Sequence, residues 1–199
     1  MIAPSDDSTH AIILAGGKSS RMGTDKATLQ VGNETLIERL VRILSPHFDG
    51  IIISTSSNAP TPKNNLRYVA DEQSGCGPLM AIYSCLKASP SSVNFFIACD
   101  IPDVNIPLIL RLLSYASSHE IIAPSFKKDF SEPLFAVYNR SILPVIEQQL
   151  AAGKLKITDC FPLCNTHIVP FNDTGWYRNL NTRDQFEAYT VQQNHYKHE

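Results

Sequence analysis

With 199 residues, of which 43% are hydrophobic and 18% charged, the chain has the size and apolar content of one globular domain with a substantial core. A formal net charge of -2 excludes the broad basic field that nucleic-acid binding draws on, so any anion site has to be local. Five scattered cysteines, Cys76, Cys85, Cys99, Cys160 and Cys164, read as reduced thiols of a cytoplasmic protein. Neither the polar opening MIAPSDDSTH nor any later apolar run has the form of a secretory signal or a membrane span.

The first predicted element is a short buried strand from Ala11 to Leu14, running into the loop LAGGKSSRMGTDK, residues 14–26. An amphipathic helix follows over Glu34 to Leu44, with Leu36, Ile37, Leu40, Val41 and Leu44 on its apolar face, ended by Pro46 and Gly50. Ile51 to Ser54 reads as a buried strand, Asn58 to Asn65 as a loop, and Leu66 to Ala70 as a strand that stops at Asp71. Gly75-Cys76-Gly77-Pro78 opens a helix to Lys87, with proline in the first turn where a missing N–H costs least. The very apolar strand Asn94 to Cys99 ends at Asp100-Ile101-Pro102. A helix over about Pro107 to Ser117 and a strand over Glu120 to Ala123 complete a fourth strand–helix repeat.

Beyond this point the pattern loosens. Pro133 to Tyr138 reads as a strand, Arg140 to Leu150 as a helix stopped at Gly153, and Thr166 to Val169 as a strand. The segment Asn179-Leu180-Asn181-Thr182 leads into a last helix, with Thr182 as N-cap and Asp184 and Gln185 in the first turn. With no internal repeat or domain boundary, residues 1–199 are expected to form one α/β domain with an ordered core over about 10–190, fraying before residue 10 and from Thr190 onward. Apolar strands alternating with amphipathic helices predict a mostly parallel sheet covered on both faces, with ligands at the carboxyl ends of its strands. The glycine loop, Ser54, Asp71 and Asp100 all fall there.

The residues of that loop suit a triphosphate. Gly16, Gly17 and Gly23 allow the backbone to approach an anion with its amides exposed, Arg21 can fork onto two phosphate oxygens, and Lys26 supplies a compact charge. It is not a Walker A loop, because five residues separate Gly17 from Gly23 and Thr24 follows; nor is it the G-x-G-x-x-G dinucleotide pattern. Asp100, directly after a fully apolar strand, is placed for a hard cation such as Mg²⁺ bridging to phosphates, and Asp71 for nucleotide or metal. For each, an aspartate that only terminates a strand is the ordinary alternative. A phosphate grip with a metal-binding carboxylate and no catalytic triad points to nucleotidyl transfer by positioning and charge neutralisation.

LAGGKSSRMGTDK, YVADEQSGCGPL, FFIACDIPD and NLNTRDQF, in that order and at suitable spacing, resemble the motifs of MobA-type molybdenum cofactor guanylyltransferases over about Ala11 to Tyr189. The resemblance implies a Rossmann-like nucleotidyltransferase fold, a three-layer sandwich. It implies an enzyme that joins GMP from GTP to molybdopterin, releases pyrophosphate and needs Mg²⁺. Leu14, Ala15, Gly16, Gly17, Ser54, Asp71 and Gly77 would then contact nucleotide, Arg21 and Lys26 the phosphates, Asp100 both nucleotide and Mg²⁺, and Asn179 and Asn181 the pterin side. Cofactor-synthesis proteins and apo-molybdoenzymes are the candidate protein partners. Two positions depart from the family pattern: Ser54 stands where asparagine is common, and Ala81 where glycine follows the GPL motif; both bear on base identity.

Three other readings compete. A cytidylyltransferase or another small nucleotidyltransferase differs in preferring CTP or a different acceptor. A non-catalytic cofactor-binding adaptor would tolerate loss of Lys26 or Asp100. Cys160 and Cys164 with His167 have a loosely zinc-like spacing, against which stands simple packing as small hydrophobes.

Overall fold

The computed structural model describes residues 8–16, 29–56, 66–127 and 130–195. In chain order its elements are β1 (Thr9–Leu14), β2 (Gln30–Val31), β3 (Glu34–Thr35), α1 (Leu36–Leu44), β4 (Gly50–Thr55), β5 (Arg67–Ala70) and α2 (Gly77–Ala88). They continue with β6 (Val93–Ala98), α3 (Ile106–Leu113), β7 (Ile121–Lys127), β8 (Phe130–Ser131), β9 (Phe135–Asn139), α4 (Leu143–Ala151), β10 (Thr166–Pro170) and α5 (Arg183–His195). Short 3₁₀ turns fill several of the connections.

Among the described residues the main sheet has the order β10-β7-β9-β6-β1-β4-β5, with β8 paired to β7, and β2 with β3 forms a separate hairpin. β5, β4, β1 and β6 are parallel, as are β7 and β10; β9 runs antiparallel between β6 and β7. The expected mostly parallel sheet is therefore present, with one reversed strand at its middle. The registers Leu14↔Ser54, Leu14↔Ala98 and Thr55↔Ala70 bring the carboxyl ends of β1, β4, β5 and β6 to one edge. Because β9 is reversed, its amino end reaches that same edge, opposite Ile97.

The period of two along each strand builds two cores. Ala11 and Ile13 of β1 pack with Phe95, Ile97, Phe135 and Val137 under α1 and α3, which contribute Leu40, Leu44, Leu108, Ile109 and Leu112. Ile12 and Leu14 pack on the other face with Ile52, Phe96, Ala136 and Tyr138 under α2 and α4, through Leu79, Ile82, Leu86 and Ile146. The result is an α–β–α sandwich. Each such side chain, once fully buried, contributes about 1.5–3 kcal/mol of transfer free energy.

The helix expected to run to Ser117 ends at Leu113, and the one expected from Arg140 opens with a 3₁₀ turn and becomes α-helix at Leu143; three further boundaries differ for a local reason. α1 begins at Leu36 because Glu34 and Thr35 are strand; Thr35 then caps the helix, its Oγ accepting from the Glu38 N–H at 3.1 Å while its own N–H donates to Glu38 Oε2 at 2.8 Å. β7 runs on to Lys127, since the segment beyond Ala123 pairs with β10 and β8. The expected fraying from Thr190 is corrected by α5, which continues to His195. Phe186 and Tyr189 anchor that helix against Val31, Leu36 and Leu180, and the Tyr189 hydroxyl donates to Asp103 at 2.8 Å.

Candidate active site

The edge where the parallel strands end carries the polar groups. The chain leaves β1 held from both sides: Ala15 N–H donates to the Ser54 carbonyl at 3.1 Å, and Cys99 N–H donates to the Leu14 carbonyl at 3.1 Å. Gly16 then passes so close to β4 that a Cβ there would lie 2.8 Å from the Ser56 nitrogen. Glycine is required here by contact with main chain. Gly17, Arg21 and Lys26 lie outside the described residues.

Ser54 is fully buried with its hydroxyl toward Cys85 of α2. Burial pushes that thiol up to about 12, opposed by the Ser54 hydroxyl. The hydroxyl has no hydrogen-bond partner among the described residues, while the main-chain carbonyl of Ser54 accepts the N–H of Ala15. Ala81 belongs to the same core at 5% exposure, so its methyl packs inward from α2.

Asp71 follows β5, its N–H donating to the Thr55 carbonyl at 3.0 Å. Its Oδ1 is buried with no hydrogen-bond partner among the described residues, and burial raises the carboxyl from its ordinary 3.8 to about 6. A carboxylate held in that condition is ready to receive a donor or a cation. Gly77, at φ +67° with open space around its α-carbon, starts α2, whose first turn no side chain caps. In that turn Gly77 and Leu79 carry a main-chain N–H and Pro78 has none.

Asp100 sits in the turn beyond β6, three strands from Asp71 and so about 14 Å away at ordinary strand spacing. Its carbonyl accepts the N–H of Leu180 at 2.8 Å, which brings Asn179 and Asn181 to the same place. Asn181 N–H and Thr182 N–H both donate to Gln185 Oε1, at 2.8 and 3.0 Å, while Gln185 N–H donates to Thr182 Oγ1 at 3.3 Å: the expected cap at the start of α5. The approach to this cap also lines a cavity of about 380 Å³, through Arg178, Asn179 and Leu180 facing Gln185, Tyr189 and Gln192 of α5. Arg178 is held there by Gln192 and lies 3.9 Å from Asp103.

Two functional candidates escaped the sequence reading. Glu132, 7% exposed, stands at the amino end of β9 and accepts the hydroxyl proton of Tyr177. Burial, with the Glu132 carboxylate beside it, holds the Tyr177 phenol well above its ordinary range. The available signal was an acid placed just before an apolar strand, the mirror image of Asp71 and Asp100.

Cys160 packs into the α2-side core with Ile146 and Ile157, and Cys164 lies against it; burial raises both thiols, Cys164 to about 11. His167 instead packs its ring 4.4 Å from Tyr115 and 4.8 Å from His119. Among the described residues no helix is long and apolar enough to cross a membrane.

Comparison with known proteins agrees with this geometry. The MobA-like NTP transferase domain matches residues 11–159. A molybdenum cofactor guanylyltransferase of Syntrophotalea carbinolica is 35% identical over 191 residues, covering 92% of this chain and 90% of that one. A probable molybdenum cofactor guanylyltransferase of Pelotomaculum thermopropionicum is 34% identical over 158 residues, 79% and 77% of the two chains. Among solved structures, molybdopterin-guanine dinucleotide biosynthesis protein A of Archaeoglobus fulgidus superposes with a TM-score of 0.76 at 21% identity, covering 92% of this chain and 97% of that one. The 2-C-methyl-D-erythritol 4-phosphate cytidylyltransferase of Francisella tularensis shares the fold at a TM-score of 0.68 and 16% identity, covering 94% and 100%. The chain belongs to the MobA-like NTP transferase family, in the company of the molybdenum cofactor guanylyltransferases.

Proposed function

We propose that the chain transfers GMP from GTP to the terminal phosphate of molybdopterin, giving the guanine dinucleotide form of the cofactor and pyrophosphate. An acceptor phosphate oxygen attacks the α-phosphorus; the bond from that phosphorus to the bridging oxygen breaks and its electrons leave with pyrophosphate. The observation that carries this reading is the division of one sheet edge. Asp71 and the start of α2 stand at one end and Asp100 with Asn179 and Asn181 at the other, and the carboxyl end of β1, with Ala15 and Gly16, lies between them. Nucleotide at the first end and acceptor at the second would meet at the β1 loop, where Arg21 and Lys26 belong by sequence.

The donor set suits Mg²⁺ better than a closed metal cage. Asp100 offers a hard oxygen donor, and no group of three or more ligating side chains comes together among the described residues. That matches a cation that takes one or two carboxylates and completes its shell with phosphates and water. When bound, it would neutralise charge on the transferring phosphates. The protein's own share is positioning: Asp71 receives a donor from the nucleoside, the amides after β1 receive phosphate oxygens, and Asn179 and Asn181 orient the pterin. Free thiols throughout fit a reducing compartment such as the cytoplasm.

The direct test is pyrophosphate release with Mg²⁺ and molybdopterin, with and without molybdate, comparing GTP, CTP and ATP against a control lacking acceptor. Release with GTP alone and only with acceptor supports the proposal. A preference for CTP would change the product, and no release from folded protein with any nucleotide would favour a cofactor-carrying adaptor.

A further inference from the structure

Asp103, three residues beyond Asp100 in the turn after β6, is a carboxylate that the reaction drawn above leaves without a task. Its side chain is 22% exposed and meets three others, from different parts of the chain. The hydroxyl of Tyr189, on α5, donates to Oδ1 at 2.8 Å. Arg39 Nη2, on α1, stands 3.7 Å from the same oxygen, and Arg178 Nε, in the segment that leads to α5, stands 3.9 Å from Oδ2. Arg178 is held by α5 as well: Nη1 donates to Gln192 Oε1, and the guanidinium lies 5.9 Å from the centre of the Tyr189 ring. The turn after β6 thus grips residues 178–180 at two points. The Asp100 carbonyl takes the N–H of Leu180 at 2.8 Å, and the Asp103 carboxylate takes the side chain of Arg178. Asn179 lies between these two held neighbours.

We propose that Asp103 is a positioning residue: by holding Arg178 it fixes the place of Asn179 relative to Asp100, and so sets how well the acceptor substrate is received. This rests on the reading of Asn179 as an acceptor-side residue. A bond at Leu180 alone fixes one point of the segment and leaves rotation about it. The second grip, two residues earlier, removes that freedom, and small displacements of a substrate-positioning group are costly. The anchor is itself tied down, since Arg39 Nε donates to the Pro102 carbonyl at 3.3 Å and so joins the turn to α1. Asp71 stands three strands away on the sheet, so the effect falls on the acceptor and not on GTP.

Asp103→Asn isolates the ionic contact. The amide keeps an oxygen for the Tyr189 hydroxyl and turns its NH₂ toward Arg178, donor against donor. Initial-rate kinetics with GTP, Mg²⁺ and molybdopterin should give a KM for molybdopterin raised about fivefold in Asp103→Asn and by a similar factor in Arg178→Gln, with kcat and the KM for GTP little moved. Both variants break one contact, so the double variant should also stay near fivefold, whereas independent effects would multiply to roughly 25-fold. A rise confined to Arg178→Gln, a multiplied effect in the double variant, or an equal rise in the KM for GTP would overturn the proposal. A lowered melting temperature with the molybdopterin KM unmoved in both would overturn it too, since a purely structural ion pair behaves that way. Asn179→Ala separates the two levels. If it raises the molybdopterin KM and Asp103→Asn does not, the positioning role is wrong and the acceptor-side reading stands; if it leaves that KM unchanged, the reading itself fails and the inference falls with it.

Discussion

The main-chain N–H of Leu180 donates to the carbonyl oxygen of Asp100 at 2.8 Å, joining the C-terminal segment to the turn after β6. Since the bond uses no side-chain atom, the segment 179–181 and the Asp100 carboxylate are brought together by main chain, and the carboxylate can be removed without releasing the segment.

Asp100→Ala is accordingly expected to lower kcat by at least about a hundredfold while leaving the thermal melt of the protein unchanged. Pyrophosphate release and differential scanning calorimetry on the same preparation check both halves. Turnover near that of the parent protein would remove Asp100 from the metal site.

Asp71 gives a pH dependence with a definite sign. Its carboxyl, raised to about 6 by burial, holds its proton in the folded state at pH values where the unfolded chain has lost it, so this group makes stability fall as pH rises from about 4 through 6. Asp71→Asn removes the penalty. It should stabilise the protein at pH 7.5 by on the order of 1 kcal/mol, discounted for the partial exposure of the group, with the gain shrinking at pH 5. GTP affinity should fall in the same variant. Urea unfolding at the two pH values, with GTP titration at pH 7.5, tests the pair; equal stability effects at both would contradict the burial argument.

At Gly16, an added methyl meets the main chain of Ser56 at 2.8 Å, and main chain cannot rotate away. Gly16→Ala should cost about 1–3 kcal/mol in chemical denaturation. It should also weaken GTP binding, because relief of the overlap moves the loop after β1. Full stability with normal GTP affinity would show that the close approach is not needed.

Tyr189→Phe keeps the buried ring, 2% exposed, and removes the donor to Asp103. A loss of about 1 kcal/mol is expected. Amide hydrogen exchange should quicken in residues 176–182 more than in β1 or β6. Uniform exchange across the chain would detach α5 from the segment 176–182.

Much of this arrangement was legible before any coordinates. Asp71 and Asp100 were placed by a general rule, that a parallel sheet presents ligands at its carboxyl ends, and Thr182 by capping chemistry. Glu132 was hidden because a strand's composition does not state its direction. Only the reversal of β9 takes the segment that leads into that strand to the edge where the others end. The end of α5 was hidden because its polar sequence carries few apolar anchors; Phe186 and Tyr189, one turn apart, suffice once Val31 and Leu36 are beneath them. The side-chain direction of Ser54 was hidden too, since alternation along β4 fixes a face only when both layers are known.

The sheet order also carries a history. β1, β4, β5 and β6, whose carboxyl ends share one edge, are all complete by residue 98, whereas β9, Tyr177 and α5 come from the last third of the chain. On a ribosome, these four parallel strands can take form while the β6 edge still waits for β9, an open strand edge that invites wrong pairing until its neighbour is made. Chains released early would hold the Asp71 side of that edge with nothing opposite it, and the Asp100 side is completed only when the terminal helix docks.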